Sequence, residues 1–87
     1  MYVLIKADST THLDCELLGS YSTKHAARIA MRAKWNEGIR LQLFEGFIEE
    51  SDVDYGCFIE GDFAQIAPAH GTNAIHFYIF DTNNKED

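Results

Sequence analysis

STKHAARIAMRAKWNEG, running from Ser22 to Gly38, is the stretch on which the fold turns. Ser22 is a good N-cap, because its hydroxyl can accept from the amides of the first helical turn, and Gly38 can supply a left-handed C-cap. Between them, Thr23 to Glu37 holds four alanines and no proline. Ala26, Ile29, Ala30 and Ala33 recur at helical spacing, with Met31 and Trp35 adjoining, while Lys24, Arg28 and Arg32 form an i, i+4, i+8 row elsewhere. The pattern predicts one principal helix over about residues 23–37. Alanines on its buried side would let it lie close to a sheet.

That sheet is legible on both flanks. Towards the N-terminus, Tyr2 to Ala7 is rich in aliphatic residues, and Val3, Ile5 and Ala7 share one face of an extended chain. Leu13, Cys15 and Leu17 alternate with Asp14 and Glu16, a half-buried strand pattern that places Cys15 as an inward core thiol. The polar Asp8 to His12 reads as the hairpin loop between them.

Towards the C-terminus, Ile39 to Glu50 fits two periods. Ile39, Leu41 and Leu43 alternate like a strand, whereas Phe44, Phe47 and Ile48 recur with Glu45 and Glu49 like a helix. The favoured reading is a short extended segment passing into a helical turn, followed by a polar loop at Ser51 to Asp54. Tyr55 to Glu60 and Phe63 to Ala67 flank a tight turn at Gly61-Asp62. Pro68 and His70 to Asn73 form a second loop. Ala74 to Phe80 is apolar on both faces apart from His76, which predicts a central strand. Asp81 to Asp87 is a short polar tail. Paired strands around one helix predict a single α+β domain over 1–87, a mainly antiparallel sheet of four or five strands packed by one helix.

Composition narrows the function. Apolar residues make up 46 % of the 87 and aromatics 13 %, values of a globular chain. The formal charge of -7 divides unevenly: residues 1–40 carry six basic and four acidic side chains, residues 41–87 one basic and ten acidic. Seven carboxylates, Glu45, Glu49, Glu50, Asp52, Asp54, Glu60 and Asp62, fall within 18 positions with no Lys or Arg among them. Interleaved Tyr55, Phe58 and Phe63 argue against a disordered acidic segment. Direct binding to nucleic-acid phosphates is disfavoured, and oriented encounter with a basic partner is favoured.

Two cysteines, no signal-peptide pattern and apolar runs far short of a membrane span predict a soluble intracellular protein with reduced thiols and no membrane association.

Each chemical motif has a bland counterpart. Asp52-x-Asp54 resembles the start of a calcium loop, but Gly56 comes too early and the twelfth position lacks Glu. His12-x-x-Cys15 could be half of a zinc site with Cys57, His70 or His76, yet no second close pair exists, so no metal or cofactor is expected. Cys57 with His70 or His76 and Asp62 lacks any feature that activates a thiol, so no catalytic residue is expected. The Lys24, Arg28, Arg32 row reads first as the wet face of the helix. A subtler use is pairing with the acidic surface of a second copy in a homodimer.

The chain resembles the small acidic α+β proteins encoded by phages and other mobile elements, among them anti-CRISPR inhibitors and related DNA mimics, and the opening MYVLIKADS, the SYSTKHAARIAMRAKWNEG helix and the closing HFYIFD resemble short mobile-element proteins that begin with a strand, continue into an amphipathic helix and end on an aromatic strand. The resemblance implies a non-enzymatic anti-defence inhibitor in the cytoplasm of a bacterial host cell. Such a protein occupies the nucleic-acid or PAM-reading surface of a larger basic partner such as a Cas effector, where carboxylates can engage arginines bidentately. The contact residues expected on that basis are Glu49, Glu50, Asp52, Asp54, Glu60 and Asp62, with Tyr55 and Phe58 as anchors. The rival is a small protein-binding regulator of a mobile element that does not mimic nucleic acid.

Overall fold

A five-stranded antiparallel sheet packs against one main helix, an α+β arrangement. The computed structural model describes residues 1–8, 14–67 and 74–82. The chain runs β1 (Tyr2–Asp8), β2 (Asp14–Tyr21), α1 (Lys24–Glu45), α2 (Glu50–Tyr55), β3 (Phe58–Glu60), β4 (Phe63–Ile66) and β5 (Ile75–Asp81). Strand order is β2-β1-β5-β4-β3, so β5 is the central strand, as its continuous apolar run predicts. The expected loops around His12 and His70, and the tail from residue 83, lie outside the described residues.

The helix differs most from expectation. It begins one residue later than the Ser22 cap implies: Thr23 is the N-cap, and its Oγ1 accepts from the Ala26 amide at 3.0 Å. It then runs straight through Gly38 to Glu45 and ends at Gly46, whose φ of 80° is the left-handed conformation that favours glycine. Ile39 to Glu45 is therefore helix, not an extended segment. The deciding signal is a row at strict i, i+4 spacing, Ala27, Met31, Trp35, Ile39 and Leu43, which crosses Gly38 without interruption. Ala27, Met31 and Ile39 are buried, with Trp35 and Leu43 packed beside them. The buried face is thus rotated from the expected one: Ile29 and Ala33 are exposed. Each fully buried side chain of this row the size of Met31 contributes roughly 1.5–3 kcal/mol, enough to outweigh an internal glycine.

Gly38 has a packing role. A Cβ there would meet Ile66 Cδ1 at 2.8 Å, so the missing side chain lets α1 approach β4. The Trp35 indole N–H completes the junction by donating to the Gln65 carbonyl at 2.9 Å.

The face of the sheet under α1 carries Leu4 of β1, Ala64 and Ile66 of β4, and Ile75, Phe77 and Ile79 of β5, all buried. A bulge in β2 keeps its side chains in step. Ile5 pairs with Leu17 but Leu4 with Gly19, so Leu18 is the extra residue, and Leu18 and Tyr21 both reach the core. In an unbroken strand two residues three apart would point to opposite faces.

Three further expectations change. Ser51 to Asp54 is not a loop but most of α2. Tyr55 ends that helix, which shortens β3 to Phe58–Glu60. Cys15 is exposed rather than a core thiol, since it stands on the opposite face of β2 from Leu18, while Cys57 is buried; both are free thiols. The Gly61-Asp62 turn is present as a two-residue hairpin connection with Gly61 at φ 61°. No helix among the described residues is long and apolar enough to cross a membrane.

Candidate partner-binding surfaces

The structure sorts the acidic segment into carboxylates with internal work and carboxylates facing outward. Asp52 is buried at the N3 position of α2. Its Oδ2 accepts from the Glu49 amide at 2.9 Å while its own amide donates to the Glu49 carbonyl at 2.8 Å. This satisfies amides that the helix start would otherwise leave unpaired, and it removes Asp52 from any contact surface. Asp62, at the β3–β4 turn, accepts from Arg28 Nε at 2.8 Å and lies 3.6 Å from Lys24 Nζ. The basic row expected on α1 therefore spends two of its three members inside the molecule.

The remaining site residues face solvent in two groups. Glu49, Glu50 and Asp54 on and beside α2 are exposed and make no ion pair among the described residues, Glu49 also completing the capping box by accepting from the Asp52 amide. Tyr55, which ends α2, is 80 % exposed, and Phe44, in the last turn of α1 beside Glu45, is 89 % exposed. Sequence reading placed Phe44 in a helical period with Phe47 and Ile48. Phe44 stands one position past Leu43 and so off the row that packs on the sheet.

Phe58 and Glu60 belong elsewhere. They alternate on β3 and share the sheet face that turns away from α1. On that face the register aligns side chains into cross-strand rows. One runs Leu17, Ile5, Tyr78, Phe63, Glu60 and the next Cys15, Ala7, His76, Gln65, Phe58, with Ser20, Val3 and Phe80 as a shorter third. The aromatic rings interlock: Phe63 lies 5.7 Å from Phe58, 5.4 Å from His76 and 5.3 Å from Tyr78, which in turn is 6.0 Å from Phe80. A hydrogen-bond chain fixes the second row, with His76 Nε2 3.0 Å from Gln65 Oε1 and Gln65 Nε2 donating to the Gly56 carbonyl at 3.1 Å. The alternation His76, Tyr78, Phe80 against Ile75, Phe77, Ile79 could have disclosed this face, but an all-apolar strand conceals it.

Of the residues weighed for nucleophilic or metal chemistry, His12 and His70 lie outside the described residues. Burial pushes the Cys57 thiol above its ordinary 9.0, and the Asp52 carboxylate adds to the shift, so it is protonated at neutral pH. Its Sγ lies 4.0 Å from the Ala67 carbonyl oxygen. Among the described residues no three His, Cys, Asp or Glu side chains converge as metal ligands. A cleft of about 320 Å³ opens between α1 and the β1–β2 side of the sheet, lined by Lys6, Glu16, Lys34 and Glu37 over Leu18 and Phe77. Its rim balances two cations with two anions.

No protein-family model matches the chain, and no curated protein or solved structure matches it.

Proposed function

We propose that this chain is a non-enzymatic inhibitor of the anti-defence kind, one that docks an acidic edge onto the positively lined nucleic-acid or PAM-reading surface of a larger protein such as a CRISPR effector. The observation that carries the reading is the separation of roles around α2. Asp52 holds the helix, and Glu49, Glu50 and Asp54 are exposed and make no ion pair among the described residues, flanked by exposed Tyr55. Exposed carboxylates raise the encounter rate with a basic groove, and a desolvated aromatic ring slows departure. Glu60 lies on the sheet and adds to the negative field there, while Asp62, neutralised by Arg28 and Lys24, contributes little.

The test is a pull-down from cells carrying CRISPR effectors at two salt concentrations, alongside the triple variant Glu49→Lys, Glu50→Lys, Asp54→Lys. Retention at low salt that is lost at high salt, and lost in the triple variant, supports the reading. Retention by the folded triple variant overturns it. The second reading, a protein-binding regulator that does not mimic nucleic acid, is favoured by the apolar rows of the sheet. It expects partner affinity that changes little with salt and survives the triple substitution.

A further inference from the structure

We infer that the sheet face turned away from α1 is a self-association surface, on which a second copy of this chain packs sheet to sheet about a two-fold axis. A chain with a formal charge of -7 repels its own copies wherever its carboxylates meet. The three cross-strand rows of this face contain a single charged residue, Glu60, and it lies at the β3 edge. The central row, Leu17, Ile5, Tyr78 and Phe63, is apolar across four strands. The face leaves large hydrophobic groups in water at both edge strands and on the central one: Leu17 is 63 % exposed, Phe58 39 % and Phe80 51 %. This is where two copies can approach most closely without opposing like charges, and an isologous contact needs only that the face complement itself.

The same charge distribution argues against the other occupants. Exposed aromatics on an antiparallel sheet suit stacking of unpaired bases, but such platforms are set among Lys and Arg that hold the phosphates. This face has none. Lys6, the one cation on β1, lines the cleft under α1. A basic protein groove would find one carboxylate here, whereas it would find three around α2.

Size sets the strength. Strands of 8, 7, 7, 4 and 3 residues, at about 3.3 Å per residue and about 4.8 Å between strands, give a flat footprint on the order of 460 Å². A stable complex buries roughly 800 Å² a side. Side chains standing off the sheet raise the accessible area above its footprint, but the contact remains at the weak end, a dimer that dissociates on dilution. In it the α2 edges of both copies stay outside the interface, so the assembly presents two acidic edges.

The experiment is sedimentation equilibrium from about 1 µM to about 500 µM, with reductant present so that exposed Cys15 forms no disulfide. The mass should rise from monomer towards dimer with concentration. Leu17→Glu on the β2 edge and Phe80→Glu on the central strand, each checked for native circular dichroism, should remain monomeric throughout. Phe44→Ser, outside the face, and the triple α2 variant should dimerise as the parent does. A parent that is monomeric over the whole range overturns the inference, as does a folded Leu17→Glu and Phe80→Glu double variant that still dimerises, which would place the contact on the β2 edge or on α1. Loss of CRISPR-effector binding in the triple variant with dimerisation intact would separate this inference from the functional proposal.

Discussion

Arg28 Nε donates to Asp62 Oδ1 at 2.8 Å, joining the first turns of α1 to the β3–β4 hairpin across 34 positions of sequence. The bond ties one member of the basic row to one member of the acidic segment, two features that would otherwise invite separate partners. Both side chains are partly exposed, at 48 % and 36 %, so water screens the pair. Asp62→Ala is expected to lower stability by about 0.5–1 kcal/mol, with the loss shrinking in high salt. Urea denaturation at two ionic strengths checks this, and an unchanged midpoint at low salt would show that the pair contributes nothing.

Asp52 stands in contrast. Asp52→Ala removes the acceptor for the Glu49 amide and should cost about 1–2 kcal/mol, and Asp52→Lys, which buries a new charge, should cost more. The measurement is the denaturation midpoint of each variant. Glu50→Lys and Asp54→Lys, on exposed positions of the same helix, should stay within about 0.5 kcal/mol of the parent.

Gly38 faces Ile66 Cδ1, and the two positions are expected to couple. In the parent, Gly38→Ala gains helix propensity but meets that methyl, and the two effects nearly cancel. With Ile66→Val the obstructing atom is gone, so adding Gly38→Ala should then recover up to about 1 kcal/mol. A double-mutant cycle with no coupling would mean that the glycine is not there for close packing. A larger Gly38→Val should be clearly destabilising in either background.

Thiol chemistry should distinguish the two cysteines. Cys15 should react at once with a thiol reagent at neutral pH, and Cys57 only as the protein opens, giving one fast equivalent per chain. The raised Cys57 pKa also gives stability a direction with pH. Because the folded state holds the proton more tightly than the unfolded chain, the contribution is complete below the ordinary 9.0 and declines as pH rises beyond it. Cys57→Ala should remove that component of the decline. A denaturation series over alkaline pH that shows the same slope in both proteins would exclude it.

Strand identity and pairing were largely readable from the chain, and the reason is local. Gly61-Asp62 between two apolar runs specifies a hairpin, and the alternation of Cys15 and Leu17 with Asp14 and Glu16 specifies a half-buried strand. The second half of α1 was not readable on the same terms. Ile39, Leu41 and Leu43 satisfy a two-residue period as well as Ile39 and Leu43 satisfy a four-residue one, and Gly38 looks like a stop until Ile66 lies beneath it. Likewise Cys15 satisfies the pattern of an inward residue, because alternation shows which side chains share a face and not which face is covered.

Local chemistry thus determined that an acidic, aromatic-rich chain would form an α+β sheet with one principal helix, since propensity, capping residues and periodicity act between neighbours. The tertiary structure alone decided which carboxylates remain available. Asp52 and Asp62 are indistinguishable from Asp54 in sequence, and only burial at the start of α2, for Asp52, or an ion pair with Arg28, for Asp62, engages them within the molecule. It also decided that Leu17, Ile5, Tyr78 and Phe63 stand in one row, because register joins residues that are far apart along the chain.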